Sequence, residues 1–180
     1  MTRFGFLVDL NYCISCKACE VACKTWNAVP TGRDVRLRRV IDEVIGVSPN
    51  VQDTYSVSLA CNHCEEPACV KACPNGAFSI RTDGLVVHDR SKCLGCRYCE
   101  AVCPYGAPQF DAVEKKMWKC SGCFDRVDQG LQPACASACP TEALKFGLLD
   151  ELEALGVREI ARFANPNRTS PAVRFVTRER

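Results

Sequence analysis

The stretch CLGCRYCEAVCPYGAPQF, residues 93–110, decides how this chain is read. Cys93, Cys96, Cys99 and Cys103 are separated by gaps of two, two and three residues, and Pro104 follows the last. A loop with two-residue gaps can curl around one face of a compact body and present three thiolates to it. The closing spacing of four suits a helical turn, which puts Cys99 and Cys103 on one side. Proline then fixes the turn that redirects the chain and offers no N–H of its own.

Working outward, the pattern repeats. Cys13, Cys16, Cys19 and Cys23 form one group, Cys61, Cys64, Cys69 and Cys73 a second, and Cys120, Cys123, Cys135 and Cys139 a fourth. Every group opens with C-x2-C and closes with C-x3-C, and only the middle gap varies: two, four, two and eleven residues in chain order. The text after three of the groups also repeats, as CPNGAF, CPYGAP and CPTEAL, while Lys24 stands where the first group would carry its proline. An internal repeat of this kind outranks local propensity as a guide to architecture.

Sixteen cysteines in 180 residues inflate an ordinary hydrophobic fraction of 47%. The remaining side chains are short of core for the length, so ligation is expected to hold the fold. No apolar run reaches the roughly 18 residues of a membrane span, so no direct membrane insertion is expected. Asp9 interrupts the apolar start, with no cleavage site or twin-arginine pair behind it; the expectation is cytoplasmic synthesis, where thiols stay reduced and eight disulfides are disfavoured. A net charge of +2 without a sustained basic run gives nucleic acid no electrostatic footing.

An isolated C-x2-C pair favours zinc, and the fourth group alone reads that way. Four groups with one shared ending favour iron–sulfur clusters. C-x2-C-x2-C-x3-C-P is the ligand run of two-cluster ferredoxins, in which the fourth cysteine ligates the other cluster. Sixteen ligands fill four [4Fe-4S] clusters, the iron being held through the same sixteen cysteines, with none left as a nucleophile. No catalytic residue is expected; the clusters are to carry electrons. Each adds about −2 with its thiolates, taking the loaded chain from +2 to about −6.

CISCKACEVACKTWN, CNHCEEPACVKACPNGA, CLGCRYCEAVCPYGAPQF and KCSGCFDRV with CASACPTEALKFG resemble the four-cluster electron-transfer subunits of molybdenum oxidoreductases, closest to the dimethyl sulfoxide reductase type, over about residues 4–148. The resemblance implies an α+β fold of two interlocked two-cluster ferredoxin-like halves built of short strands, hairpins and short helices. Residues 1–52 and 111–148 would form the outer half, 53–110 the inserted inner half, and 149–180 a C-terminal helix and tail. It implies ligand sets of Cys13, Cys16, Cys19 and Cys139; Cys120, Cys123, Cys135 and Cys23; Cys61, Cys64, Cys69 and Cys103; and Cys93, Cys96, Cys99 and Cys73. In nitrate reductase relatives a tryptophan replaces one third-group cysteine; Cys96 is present here, so four cubanes are expected. The first-group cluster would face a catalytic molybdopterin subunit carrying molybdenum or tungsten, and the third-group cluster a membrane anchor subunit. The chain would sit peripherally at the cytoplasmic membrane, on a side left open because a twin-arginine partner could co-export it. A hydrogenase or tungsten aldehyde oxidoreductase subunit is the alternative, and a zinc-stabilised binding module the remote one.

Among the connecting segments, residues 4–10 and 53–60 read as strands, and 78–89 as a hairpin turning at Thr82-Asp83-Gly84. A second hairpin is expected over 109–120. Leu149, Leu152, Leu155, Ile160 and Phe163 fall near one face of a helix over 149–163, with an extended tail behind it. His63, inside CNHC, is expected to make a structural hydrogen bond, and His88 to lie on the surface. Trp26, Tyr98, Tyr105 and Trp118 are read as shields of the clusters. Lys92, Arg97 and Lys119 are read either as offsets to cluster charge or as solvated surface.

Overall fold

The computed structural model describes residues 3–48 and 51–177. Its centre is a three-stranded sheet with the N-terminal strand in the middle. Strand β1 (Phe4–Asp9) runs antiparallel to β8 (Leu144–Leu148) on one side and parallel to β9 (Val173–Val176) on the other. Its apolar sequence FGFLVD suits a strand buried on both faces, and Phe146 packs on Phe4 and Phe6 at ring-centroid distances of 5.1 and 5.0 Å.

Beside the sheet, the described residues form three two-stranded hairpins. β2 (Arg39–Ser48) pairs with β3 (Val51–Leu59), from Arg39 opposite Leu59 outward. β4 (Phe78–Ile80) pairs with β5 (Val86–His88), and the Gly84 N–H donates to the Arg81 carbonyl across their turn. β6 (Gln109–Asp111) pairs with β7 (Lys116–Trp118).

The third cysteine of each group lies on a short helix, and only in the first group does that helix also carry the fourth. These are α1 (Ala18–Trp26), α2 (Ala68–Ala72), α3 (Tyr98–Val102) and, after α4 (Phe124–Val127), α5 (Ala134–Ser137). With Lys24 in place of proline, α1 runs on through it to Trp26, and the turn that follows the other three groups is missing.

The C-terminal region differs from the sequence expectation. Helix α6 spans only Leu149–Glu153. The chain turns at Ala154 and Leu155, and Val157 bridges Phe175. The segment read as an extended tail contributes β9, with Ala172, Val173 and Phe175 buried; residues 178–180 lie outside the described ones. The reason is tertiary: β1 needs a second hydrogen-bonded neighbour, and β9 supplies it.

Cysteine makes up much of the core. Nine of the sixteen are buried, five are half-buried, and Cys16 and Cys96 are exposed.

Candidate metal centres

The opening of every cysteine group adopts one backbone shape. The residue two past the first cysteine has positive φ in all four groups: Ser15 at 56°, His63 at 42°, Gly95 at 70° and Gly122 at 74°. That left-handed step turns its N–H back toward the sulfur. His63, Gly95 and Gly122 donate to Cys61, Cys93 and Cys120 Sγ, each at 3.4 Å. A backbone hydrogen bond from Ser15 acts on Cys13 in the same way.

The closing turn explains the repeated CPNGA, CPYGA and CPTEA. The third residue past the last cysteine again has positive φ (Gly76 and Gly106 at 58°, Glu142 at 54°). The alanine after Gly76 and Gly106 then aims its N–H at sulfur: Ala77 to Cys73 Sγ at 3.3 Å and Ala107 to Cys103 Sγ at 3.5 Å. Such N–H···S bonds stabilise thiolate charge. The signal was in the sequence, as a glycine and an alanine at fixed offsets.

The groups come together crosswise. One cavity is lined by Cys61, Cys64, Cys69 and Cys103, a second by Cys13, Cys16, Cys19 and Cys139, and a third by Cys73, Cys93, Cys96 and Cys99. Cys23 lies within electrostatic reach of Cys120, Cys135 and Cys123, a fourth quartet at the contact of α1 with α5. In each cavity three sulfurs come from one group and one from another. Among the described residues, no three His, Cys, Asp or Glu side chains converge closely enough to hold a single metal ion. Four sulfurs spread around one cavity, three from one group and one from another, match the donor set of a [4Fe-4S] cluster, whereas a closed zinc site draws its ligands to about 2.3 Å from one point.

Burial pushes the thiols of Cys64, Cys69 and Cys120 up to about 12 and that of Cys99 to about 11. Metal loading must therefore release protons from them.

His63 is fully buried between two quartets. Its Nδ1 accepts from the Val86 N–H at 3.0 Å, so Nε2 carries the proton and faces Cys120 Sγ at 3.8 Å. Its own N–H is the one on Cys61, so a single residue touches sulfurs of two quartets. His88 is not on the surface as the sequence suggested: it stacks on Phe78 at 4.4 Å and is half-buried, because it pairs with Phe78 across the hairpin.

The aromatic residues divide. Trp118 is buried, with its indole N–H on Asp111 and Arg90 over its ring, and Tyr105 is half-buried with its hydroxyl on Thr169. Trp26 and Tyr98 are exposed and shield little. Lys92 and Arg97 are exposed and pair with Asp89 and Glu100. Lys119 is buried, and its ammonium donates to the carbonyls of Val86 and Cys120 at 2.5 and 2.6 Å. The sequence missed Arg38, a buried cation beside Ser58 and Phe6, because it sits in the run RLRR, which looks like solvated charge.

Comparison with known proteins agrees with this chemistry. Residues 52–149 match the 4Fe-4S dicluster domain family, and residues 10–26 a 4Fe-4S binding domain. The chain is 43% identical to one of the chains of the anaerobic dimethyl sulfoxide reductase of Escherichia coli, over 92% of this chain and 87% of that one. It is 40% identical to a subunit of the sulfite dehydrogenase of Allochromatium vinosum, over 82% and 69% of the two chains. It is 34% identical to the iron–sulfur subunit of the nitrate-inducible formate dehydrogenase of Escherichia coli, over 87% and 58%. Its repeated sulfur loops and these likenesses together place the chain in the family of ferredoxin-like [4Fe-4S] electron-transfer subunits of molybdenum oxidoreductases, of the dimethyl sulfoxide reductase iron–sulfur type.

Proposed function

We propose that this chain is a non-catalytic wire of four [4Fe-4S] clusters. It would relay electrons between a catalytic molybdopterin subunit, with molybdenum or tungsten, and a membrane quinone-reactive or other redox partner. Cys13, Cys16, Cys19 and Cys139 hold the first cluster; Cys120, Cys123, Cys135 and Cys23 the second; Cys61, Cys64, Cys69 and Cys103 the third; Cys93, Cys96, Cys99 and Cys73 the fourth. When bound, each cluster supplies one-electron chemistry. The fourth-cysteine exchange ties the sites in two pairs, which favours two interlocked halves, 1–52 with 111–148 around 53–110.

The chain's own residues do three things. The thiolates ligate, the N–H groups at the loop openings and closing turns stabilise the charge, and the buried side chains exclude water. His63 joins the halves, one of its N–H groups on Cys61 of the third site and the other facing Cys120 of the second.

The observation that carries the reading is the distribution of exposure over the four loops. Cys16 and Cys96 alone are exposed among the cysteines. They lie beside exposed apolar side chains, Tyr12 and Ile14 at 62 and 64% and Leu94 and Tyr98 at 68 and 58%. Electrons would enter and leave through those two loops, and partners would dock on them. Among the described residues no helix is long and apolar enough to cross a membrane. The chain would lie peripherally, on the side its catalytic partner occupies.

The test is metal analysis and EPR spectroscopy of the native complex purified without oxygen. About sixteen irons from this chain with one molybdenum or tungsten is the expected result. Iron without either metal moves the wire to another assembly, such as a hydrogenase. Zinc in its place overturns the reading.

A further inference from the structure

Among the described residues two arginines are almost wholly buried, Arg174 at 1% and Arg38 at 2% exposure. Arg174 pairs with the carboxylate of Glu153. Arg38, just ahead of β2, has no such partner among the described residues. Its Nη1 donates to the Ser58 carbonyl at 3.2 Å and to Ser58 Oγ at 3.0 Å, its guanidinium lies 4.7 Å from the centre of the Phe6 ring, and its Nε is buried without a partner. A buried charge left uncompensated is strongly destabilising, so the counter-charge must come from elsewhere.

It comes from sulfur. Cys135, Cys120, Cys23 and Cys19 belong to the same buried cluster as Phe6, on whose ring the guanidinium lies, and in the loaded chain their thiolate charge offsets the burial of Arg38. Three of these four belong to one quartet. The fourth, Cys19, has its Sγ 3.3 Å from Ser58 Oγ. Because that oxygen already accepts from Arg38, its proton is free to point at Cys19.

We propose that Arg38 is an internal counter-ion of the second site, beside the Lys119 ammonium on the Cys120 carbonyl, raising the reduction potential of the cluster held by Cys23, Cys120, Cys123 and Cys135, and that it acts more weakly on the first site by turning the Ser58 hydroxyl onto Cys19. The inference rests on the cluster assignment above. Its logic is electrostatic. Reduction adds a negative charge, which burial disfavours and a fixed cation in the same low-dielectric region favours. The second site is closed from water, so without Arg38 its potential would fall below that of the open first site. Arg38 levels the two.

The test is an EPR-monitored redox titration of the intact complex, with signals assigned by their loss in Cys16→Ser and Cys123→Ser. In Arg38→Gln the second-site reduction equilibrium is expected to weaken at least tenfold, a drop of about 59 mV for one electron, with a smaller drop at the first site and iron content unchanged. Arg38→Lys keeps the charge and restores most of the second-site potential. Ser58→Ala lowers the first site alone. Full iron with unmoved potentials in Arg38→Gln overturns the proposal. If that variant does not fold, the other two decide: a second site lowered as much by Ser58→Ala as the first, or an Arg38→Lys chain whose first site alone has moved, also overturns it. A wild-type complex without [4Fe-4S] signals would instead overturn the cluster assignment itself.

Discussion

Cys16, Cys64, Cys96 and Cys123 hold the same place in their loops, the second cysteine of an opening C-x2-C. Cys16 and Cys96 are exposed, while Cys64 and Cys123 are buried. The middle gap separates the two kinds: two residues after the exposed pair, four and eleven after the buried pair. Cover follows from what the extra residues reach. In the second group, Glu65 and Glu66 donate their N–H groups to the carbonyls of Ser170 and Thr169, which brings the C-terminal segment over Cys64. In the fourth, the long gap returns Ala134 to the sulfur of Cys123 through a backbone hydrogen bond. Gap length thus tracks which loops are covered and which lie open to solvent.

The sharpest way to break this comparison is to remove one sulfur from each kind of loop. Cys120→Ser, in the closed core beside His63, is expected to reduce the yield of folded chain at least about tenfold, since the fold leans on that ligand. Cys96→Ser should leave a folded chain that loses only its own cluster, about twelve irons remaining. Iron per chain and soluble yield read the difference, and equal losses would erase the distinction.

A smaller difference lies in two equivalent glycines. Alanine at Gly95 or Gly122 meets a left-handed backbone, which costs about 1–2 kcal/mol. At Gly95 the added carbon would also come within 2.1 Å of the Lys115 carbonyl oxygen, a backbone atom, whereas at Gly122 it meets the movable Leu85 side chain at 2.9 Å. Gly95→Ala should therefore lower the denaturation midpoint more than Gly122→Ala. The reverse order would mean that the exposed loop is the more pliant one.

Acid gives a third contrast. His63 belongs to the closed second loop, and His88 to the hairpin before the open third. Burial, with Lys119 and Arg90 nearby, holds His88 down at about 4, below the ordinary 6.5 or so. The unfolded chain takes up that proton first, so stability falls as pH falls from about 6.5 toward 4. His88→Gln removes this contribution and should narrow the gap between melting temperatures at pH 7.5 and 5.5. An unchanged gap would assign the acid response to His63 or to the sulfurs. Least of all should come from Lys92→Ala, an exposed charge, within about 0.5 kcal/mol of the parent.

The repeat, the closing helical turns and both short hairpins could be read from the sequence because each is a local pattern carried by a few fixed residues. What escaped it depends on distant partners. Strand β9 is four residues among prolines and arginines, and only its register with β1 makes it a strand. The helix expected over 149–163 stops at Glu153, since Val157 is claimed by Phe175. Strand β2 went unrecognised, and Arg38 before it looks like its neighbours Arg36 and Arg39 until Ser58, twenty residues on, takes its guanidinium inward.

The parallel pairing of β9 with β1 has a consequence for how the protein is made. A ribosome delivers the central strand of that sheet, β1, before all four cysteine groups, and its edge strand β9 after all of them. Domains generally fold as units, the N-terminal one first, while synthesis continues. Here the N-terminal cavity cannot close until Cys139 has emerged, nor its supporting sheet until Val176. The quartet of Cys73, Cys93, Cys96 and Cys99 is complete by residue 99. The natural order of assembly therefore runs outward from the quartet of Cys73, Cys93, Cys96 and Cys99, and Cys13, Cys16 and Cys19 wait longest for a machinery able to load them.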